Sequence, residues 1–130
     1  MNKVPKYNPF HRIWLALIGI FTAIKRERHL KVHIVLSILF LIPLIFLDIT
    51  TTHAWIMLIL VIQLIILELV NTAIELTVDL VTRKFSYRAK LAKDISSGAV
   101  LLSAAVTASF AIFIYSADMY NFLIGVFIGS

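Results

Sequence analysis

An all-α integral membrane fold, with an N-terminal interfacial amphipathic helix followed by three transmembrane helices, is what this 130-residue chain predicts. Hydrophobic residues make up 61% of it, at a mean hydropathy of +0.97, more apolar surface than a soluble domain of this length can cover. Apolar stretches long enough to cross about 30 Å of hydrocarbon recur three times. The cations are also partitioned: seven of the twelve Lys/Arg residues lie at or before Lys31, and the other five lie between Arg83 and Lys93.

The first element, residues 8–27, is short and bounded by charge. Its large side chains Phe10, Ile13, Trp14, Leu17, Phe21 and Ile24 recur three or four residues apart and so share one helical face. The apolar run 13–24 is too short to span, which predicts a helix lying in the interface. Lys3, Lys6 and Arg12 ahead of that run imitate a signal peptide. Basic residues and no small-residue cleavage pattern follow, so the segment reads as retained.

Residues 30–49 form the first predicted span, with a kink at Pro43. A short loop leads to the second, residues 54–81, where Trp55 takes the place of an interfacial aromatic. A basic linker, residues 82–93, precedes the third span, residues 94–115. Small residues crowd its first half (Ser96, Ser97, Gly98, Ala99, Ser103, Ala104, Ala105), which permits close helix approach in lipid. By the positive-inside rule the N-terminus and the basic linker face the cytoplasm and the C-terminus lies outside, as for a multi-pass protein of a bacterial plasma membrane. The net charge of +5 is thereby accounted for by orientation and anionic lipid rather than nucleic acid. Cysteine is absent, which excludes thiol chemistry and disulfides.

The second span carries the chemistry. Residues 54–67 are interrupted only by Gln63, after which Glu68, Asn71, Thr72, Glu75 and Asp79 recur at helical spacing on one face. Each carboxylate in hydrocarbon costs at least ~2.5 kcal/mol, which marks a functional stripe more than a packing seam. Counted from Val81, Glu68 lies ~20 Å along the helix, Glu75 ~9 Å, and Asp79 at the surface. Glu27, Lys93 and Asp94 belong at the same boundary. That arrangement suits phosphoryl transfer from a nucleoside triphosphate to a lipid hydroxyl. Glu27 and Glu75 supply oxygen ligands for Mg²⁺, Lys93 a point charge for the phosphates, Glu68 a general base, and Asn71 a hydrogen bond to a carboxylate. A transporter using Glu68 to carry protons or cations, and a non-catalytic assembly subunit, are the alternatives from the residues alone. His29 and His33 stand four apart, but without a third ligand they read as interfacial histidines.

The run Glu68-Leu69-Val70-Asn71-Thr72-Ala73-Ile74-Glu75, then Asp79, Ala92-Lys93-Asp94 and Ser97-Gly98-Ala99-Val100-Leu101, closely resembles the small bacterial membrane lipid kinases. That family contains prokaryotic diacylglycerol kinase and undecaprenol kinase. The likeness is strong over residues 65–105 and weaker over 19–33, where Glu27 takes the family's acidic position. It implies a homotrimer with active sites shared between subunits, Glu68 as catalytic base, and Glu27 and Glu75 holding Mg²⁺ with ATP. It also implies Lys93 and Asp94 on the nucleotide, Ser97 near the lipid, and Asn71 and Asp79 in support. Lys84 and Ser86 occupy positions where relatives touch ATP, although Arg83-Lys84-Phe85-Ser86 departs from the acidic-Tyr-His pattern usual there. The stretch 29–33 resembles the Gram-positive branch, which implies undecaprenol as the acceptor, with diacylglycerol as the alternative.

Overall fold

A 31-residue helix organises the molecule in the computed structural model, which describes residues 8–82, 84 and 86–128, the last without the side chains of 117, 118, 121–123 and 125–128. Lys3, Lys6, Arg83 and Phe85 lie outside the described residues. The element order is α1 (Pro9–Arg26), α2 (Arg28–Leu41), α3 (Pro43–Phe46), α4 (Thr51–Val81) and α5 (Tyr87–Ile128). Three stretches are long and apolar enough to cross a membrane: Arg28–Phe46, Thr51–Val81 and Tyr87–Ser116. All described elements are helical, and α1 precedes the three spans.

The helix ends follow from local chemistry. Pro9 opens α1, where a missing N–H costs nothing. Lys25 and Arg26 sit in its last turn, where cations complement exposed carbonyls. Lys31 reaches back from α2 and donates to the Lys25 carbonyl at 2.8 Å, fixing the turn between the two helices. Glu27 occupies that turn in extended conformation (φ −91°, ψ 122°) and is at once the last cap of α1 and the first of α2. Thr50 caps α4 by accepting from the His53 N–H at 3.4 Å. Ser86 does the same for α5, accepting from the Ala89 N–H at 3.5 Å. Helix α5 therefore starts seven residues before the boundary the charges predict. Residues 87–93 are rich in Arg, Ala, Lys and Leu, strong helix formers, so much of the basic linker is helix and only 82–86 connects.

Pro43 divides the first span into α2 and α3. Lacking an N–H, it withdraws a donor from the preceding turn. The Tyr115 hydroxyl, from α5, donates to the nearby Phe40 carbonyl at 2.8 Å. Tyr115 is buried with Met57, Ala111 and Ile114, and Phe40, Leu44, Leu47, Ile49 and Ile56 pack around them. The break in the helix and the apolar core at that end of the bundle are one construction.

Both α2 and α5 pack against α4, α5 the more extensively. Buried residues on α4 include Met57, Val61, Leu64, Glu68 and Asn71, with Thr72 beside the last, and on α5 Ser96, Val100, Ser103, Thr107, Ala111 and Ile114, with Tyr115 beside the last. Spacings of three and four place each set on a single seam. Ser96, Ser103, Thr107 and Ala111 are the small residues that let the backbones approach, as expected in lipid. Gly98 and Ala99 are not among them: both are exposed, and nothing stands within 4 Å of where a Gly98 Cβ would be. Leu101, Ile112 and Phe113 point outward at 72%, 72% and 73% exposure, as suits side chains solvated by hydrocarbon. The amphipathic face of α1 is exposed in the same way, with Phe10, Ile13, Trp14, Leu17 and Phe21 all uncovered.

Tyr115→Phe removes the donor to the Phe40 carbonyl while keeping the ring. Its unfolding midpoint in mixed micelles should fall by the equivalent of about 0.6 to 1.7 kcal/mol, the range of interhelical hydrogen bonds in membranes. Phe113→Leu, on the exposed side of the same helix, should leave the midpoint unchanged.

Candidate functional site

Glu68 enters the site because the α4 seam carries it there. It occupies a position at which Leu64 and Asn71, the adjacent members of the seam, are buried, and only 2% of it is exposed. It lines a cavity of about 230 Å³ with Asn71 and Glu75 from α4, His29 and His33 from α2, and Ser97, Val100, Leu101 and Ala104 from α5. Glu68, Asn71, Glu75 and Ser97, set apart on sequence grounds, thus meet in one place. The carboxylate of Glu68 stands 3.9 Å from His33 Nε2. The other half of the cavity wall is apolar.

Asn71 ties the carboxylates to α5. Its Nδ2 donates to Glu75 Oε1 at 3.4 Å, and its Oδ1 accepts from the Ser96 hydroxyl at 2.6 Å. Ser96 also donates toward the Lys93 carbonyl, at 2.9 Å. The amide is thereby oriented from both ends, and through it so is Glu75. Sequence reasoning gave Asn71 the role of holding a carboxylate but assigned Ser96 to packing. The signal for Ser96 is its place on the α5 seam, three or four residues from each buried neighbour.

A second cavity, about 290 Å³, lies further along the same two helices. It is lined by Val78, Asp79 and Thr82, by Lys84 and Ser86 of the connection, and by Ala89, Lys90, Lys93 and Asp94 of α5. Four residues expected on a nucleotide, Lys84, Ser86, Lys93 and Asp94, therefore share one polar hollow with Asp79. Their charges are already paired: Lys93 Nζ donates to Asp79 Oδ1 at 2.6 Å, and Lys90 Nζ to Asp94 Oδ2 at 2.6 Å. Both pairs are largely exposed, so each is worth little in stability and exchanges readily for another partner. Thr82 braces the connection by donating to the Lys84 carbonyl at 2.8 Å.

The contact between Glu68 and His33 relates α4 to α2 in height. Glu68 is level with His33, which stands only five residues into α2, ~8 Å from its start. Measured along α4 the same carboxylate is ~20 Å from Val81, so α4 projects roughly 12 Å beyond the first residue of α2. The reason is length, since 31 residues make ~46 Å of helix against ~30 Å of hydrocarbon. Glu68 and His33 thus share one level of the bundle, and the Asp79–Lys93 cavity lies beyond the start of α2 on that side.

Glu27 is half-buried at the α1–α2 junction and lines neither cavity. Among the described residues no three His, Asp or Glu side chains converge as a ready-made metal cage. The donor set nonetheless fits magnesium, which keeps most of its water and commonly takes one or two carboxylates together with substrate phosphates. Glu75, held by Asn71 between the two cavities, is placed for that. His29 and His33, read from sequence as interfacial, form the α2 wall of the Glu68 cavity. Their four-residue spacing after Glu27 was the available signal; which face of α2 meets α4 was not readable without the packing.

The family model described as prokaryotic diacylglycerol kinase matches residues 14–115 of the chain. A protein named undecaprenol kinase, from Bacillus subtilis (strain 168), is 34% identical over 97 residues, covering 75% of this chain and 79% of that one.

Asn71→Ala removes the partner of Glu75 and one of the two acceptors of Ser96, and leaves a gap in the buried seam. A loss of about 1 to 3 kcal/mol in unfolding free energy is expected, read in mixed micelles, against a smaller loss for Ser96→Ala.

Proposed function

The chain belongs to the prokaryotic diacylglycerol kinase family, a bacterial membrane lipid kinase using ATP, and from that premise we propose which residues act and on which lipid. The carrying observation is the Glu68 cavity, where a buried carboxylate faces Val100, Leu101 and Ala104, next along α4 and α5 to a second hollow lined by Lys84, Lys90 and Lys93. A lipid alcohol approaches the first from the bilayer, and a nucleotide approaches the second from water. Transport through Glu68 and a purely structural role do not explain the second cavity, and lipid kinase membership replaces both.

In this reading Glu68 accepts the proton of the lipid hydroxyl as that oxygen attacks the γ-phosphorus of ATP. The bond to the β–γ bridging oxygen breaks, and ADP leaves. Lys93, released from Asp79, neutralises charge on the phosphates, with Lys84 beside it. Ser86 and Asp94 contact the rest of the nucleotide. Glu75 and Glu27 are the residues to hold Mg²⁺, which when bound neutralises charge on the β- and γ-phosphoryl oxygens. Asn71 keeps Glu75 turned toward the phosphates, Asp79 holds Lys93 in place before ATP arrives, and Ser97 lines the path of the lipid hydroxyl. Undecaprenol is the proposed acceptor, supported by the name of the relative and by the character of residues 29–33; diacylglycerol is the alternative.

The cation distribution supports a topology with the N-terminus and the α4–α5 connection in the cytoplasm and the C-terminus outside, where ATP and both cavities fall on the same side. Glu27 lines neither cavity within one subunit, which suits the homotrimer with shared sites that the family resemblance implies.

Purified protein with magnesium-ATP should phosphorylate polyprenol faster than diacylglycerol when the two are offered side by side; the reverse order transfers the assignment to diacylglycerol. Glu68→Gln should abolish turnover, by at least ~100-fold, while ATP affinity stays within a few-fold of wild type. A fully active Glu68→Gln removes the base. Lys93→Met should raise the KM for ATP, and Glu75→Gln should raise the magnesium concentration needed for half-maximal rate.

A further inference from the structure

Two buried polar atoms on α2 have no partner: His33 Nδ1 and the Ser37 hydroxyl. They belong to residues four apart on α2, hence on the same helical face. Ser37 is 5% exposed. The other nitrogen of the same imidazole, Nε2, is the atom that stands 3.9 Å from Glu68 Oε2. A buried hydroxyl and a buried ring nitrogen left unpaired each forfeit a hydrogen bond, which native interiors rarely tolerate. They make no hydrogen bond to each other in this structure; a hydroxyl that donates and a ring nitrogen that accepts is the pairing their chemistry allows. An imidazole that accepts at Nδ1 carries its proton on Nε2, and that proton is aimed at Glu68.

We propose that His33 is a positioning residue for Glu68: Ser37 fixes the imidazole with its proton on Nε2, and that N–H holds the carboxylate with one oxygen toward the incoming lipid hydroxyl. Contact at 3.9 Å is longer than a hydrogen bond, and closure of that gap belongs to the substrate-loaded site, where catalytic contacts tighten. The inference rests on Glu68 acting as base but assigns a role to side chains on a different helix. The polar groups that line the cavity with the pair are His29 on α2, Asn71 and Glu75 on α4 and Ser97 on α5. Of these, Asn71 is committed to Glu75 and Ser96, and His33 is the ring paired with Glu68. No atom changes hands through His33 in this role; it orients the group that takes the proton.

Two measurements test it. In mixed micelles with magnesium-ATP and polyprenol, His33→Ala should lower kcat about 100-fold, the low end of what a positioned acid–base group contributes. The KM values for ATP and lipid should change no more than about three-fold, because a group acting only on the base leaves ground-state binding alone. His33→Gln, whose amide places a donor where Nε2 lies, should recover most of the loss. An unchanged kcat in His33→Ala, or a loss confined to KM, overturns the proposal. Independently of turnover, the ¹⁵N spectrum of histidine-labelled protein should show His33 as the Nε2-protonated tautomer, displaced by Glu68→Gln and losing its tautomer preference in Ser37→Ala. A His33 signal indifferent to both substitutions overturns it as well. If the wild type phosphorylates no lipid, the kinase mechanism fails, while the tautomer measurement still decides the position of His33.

Discussion

Everything in this bundle depends on the seam between α4 and α5, because the same row of positions that packs the two helices also carries the acids. Leu64 and Val61 are buried in it by dispersion and exclusion from lipid; Glu68 and Asn71 are buried in it by register. A polar group on such a seam must find partners within the protein, since hydrocarbon offers none. Asn71 finds Glu75 and Ser96, and the result is a carboxylate held in a fixed direction rather than one that snorkels to the surface. Packing and chemistry therefore cannot be varied separately here.

Helix length does the rest. Because α4 and α5 are longer than the hydrocarbon is thick, their ends project, and the acidic stripe is divided between two environments. Glu68 meets the half-apolar hollow beside α2; Asp79, Lys93 and Asp94 meet a polar one further out. Glu75 stands between them. A lipid kinase must bring a water-soluble nucleotide to an alcohol that does not leave the membrane, and under the proposed assignment the stripe joins the two sites without a moving domain. The exposed ion pair between Lys93 and Asp79 costs little to break, which leaves Lys93 available to an anion.

Much of this was legible in the residues. The number and order of the helices followed from hydropathy, the break at Pro43 from its missing donor, and the acidic face from spacing alone. The E-x-x-N-T-A-I-E and A-K-D blocks carried the family. Three things were not legible. The start of α5 was hidden because charge was taken to mark a linker, whereas Arg88, Lys90 and Lys93 lie on a helix in its aqueous turns. The height of Glu68 relative to α2 was hidden because a single helix gives no reference; its contact with His33 supplies one. Ser96 and His33 escaped because their importance comes from which face of one helix meets another, and periodicity within a helix does not fix that.

The most direct measurement is how close bound nucleotide comes to the two glutamates. With Mn²⁺-ATP in place of magnesium-ATP, paramagnetic broadening of ¹³C-labelled side-chain carboxyl signals should be strong for Glu75, clear for Glu68 and absent for Asp48 at the opposite end of the bundle. Broadening that spares Glu75 and Glu68, or that affects Asp48 equally, would contradict the placement of phosphoryl transfer between these cavities.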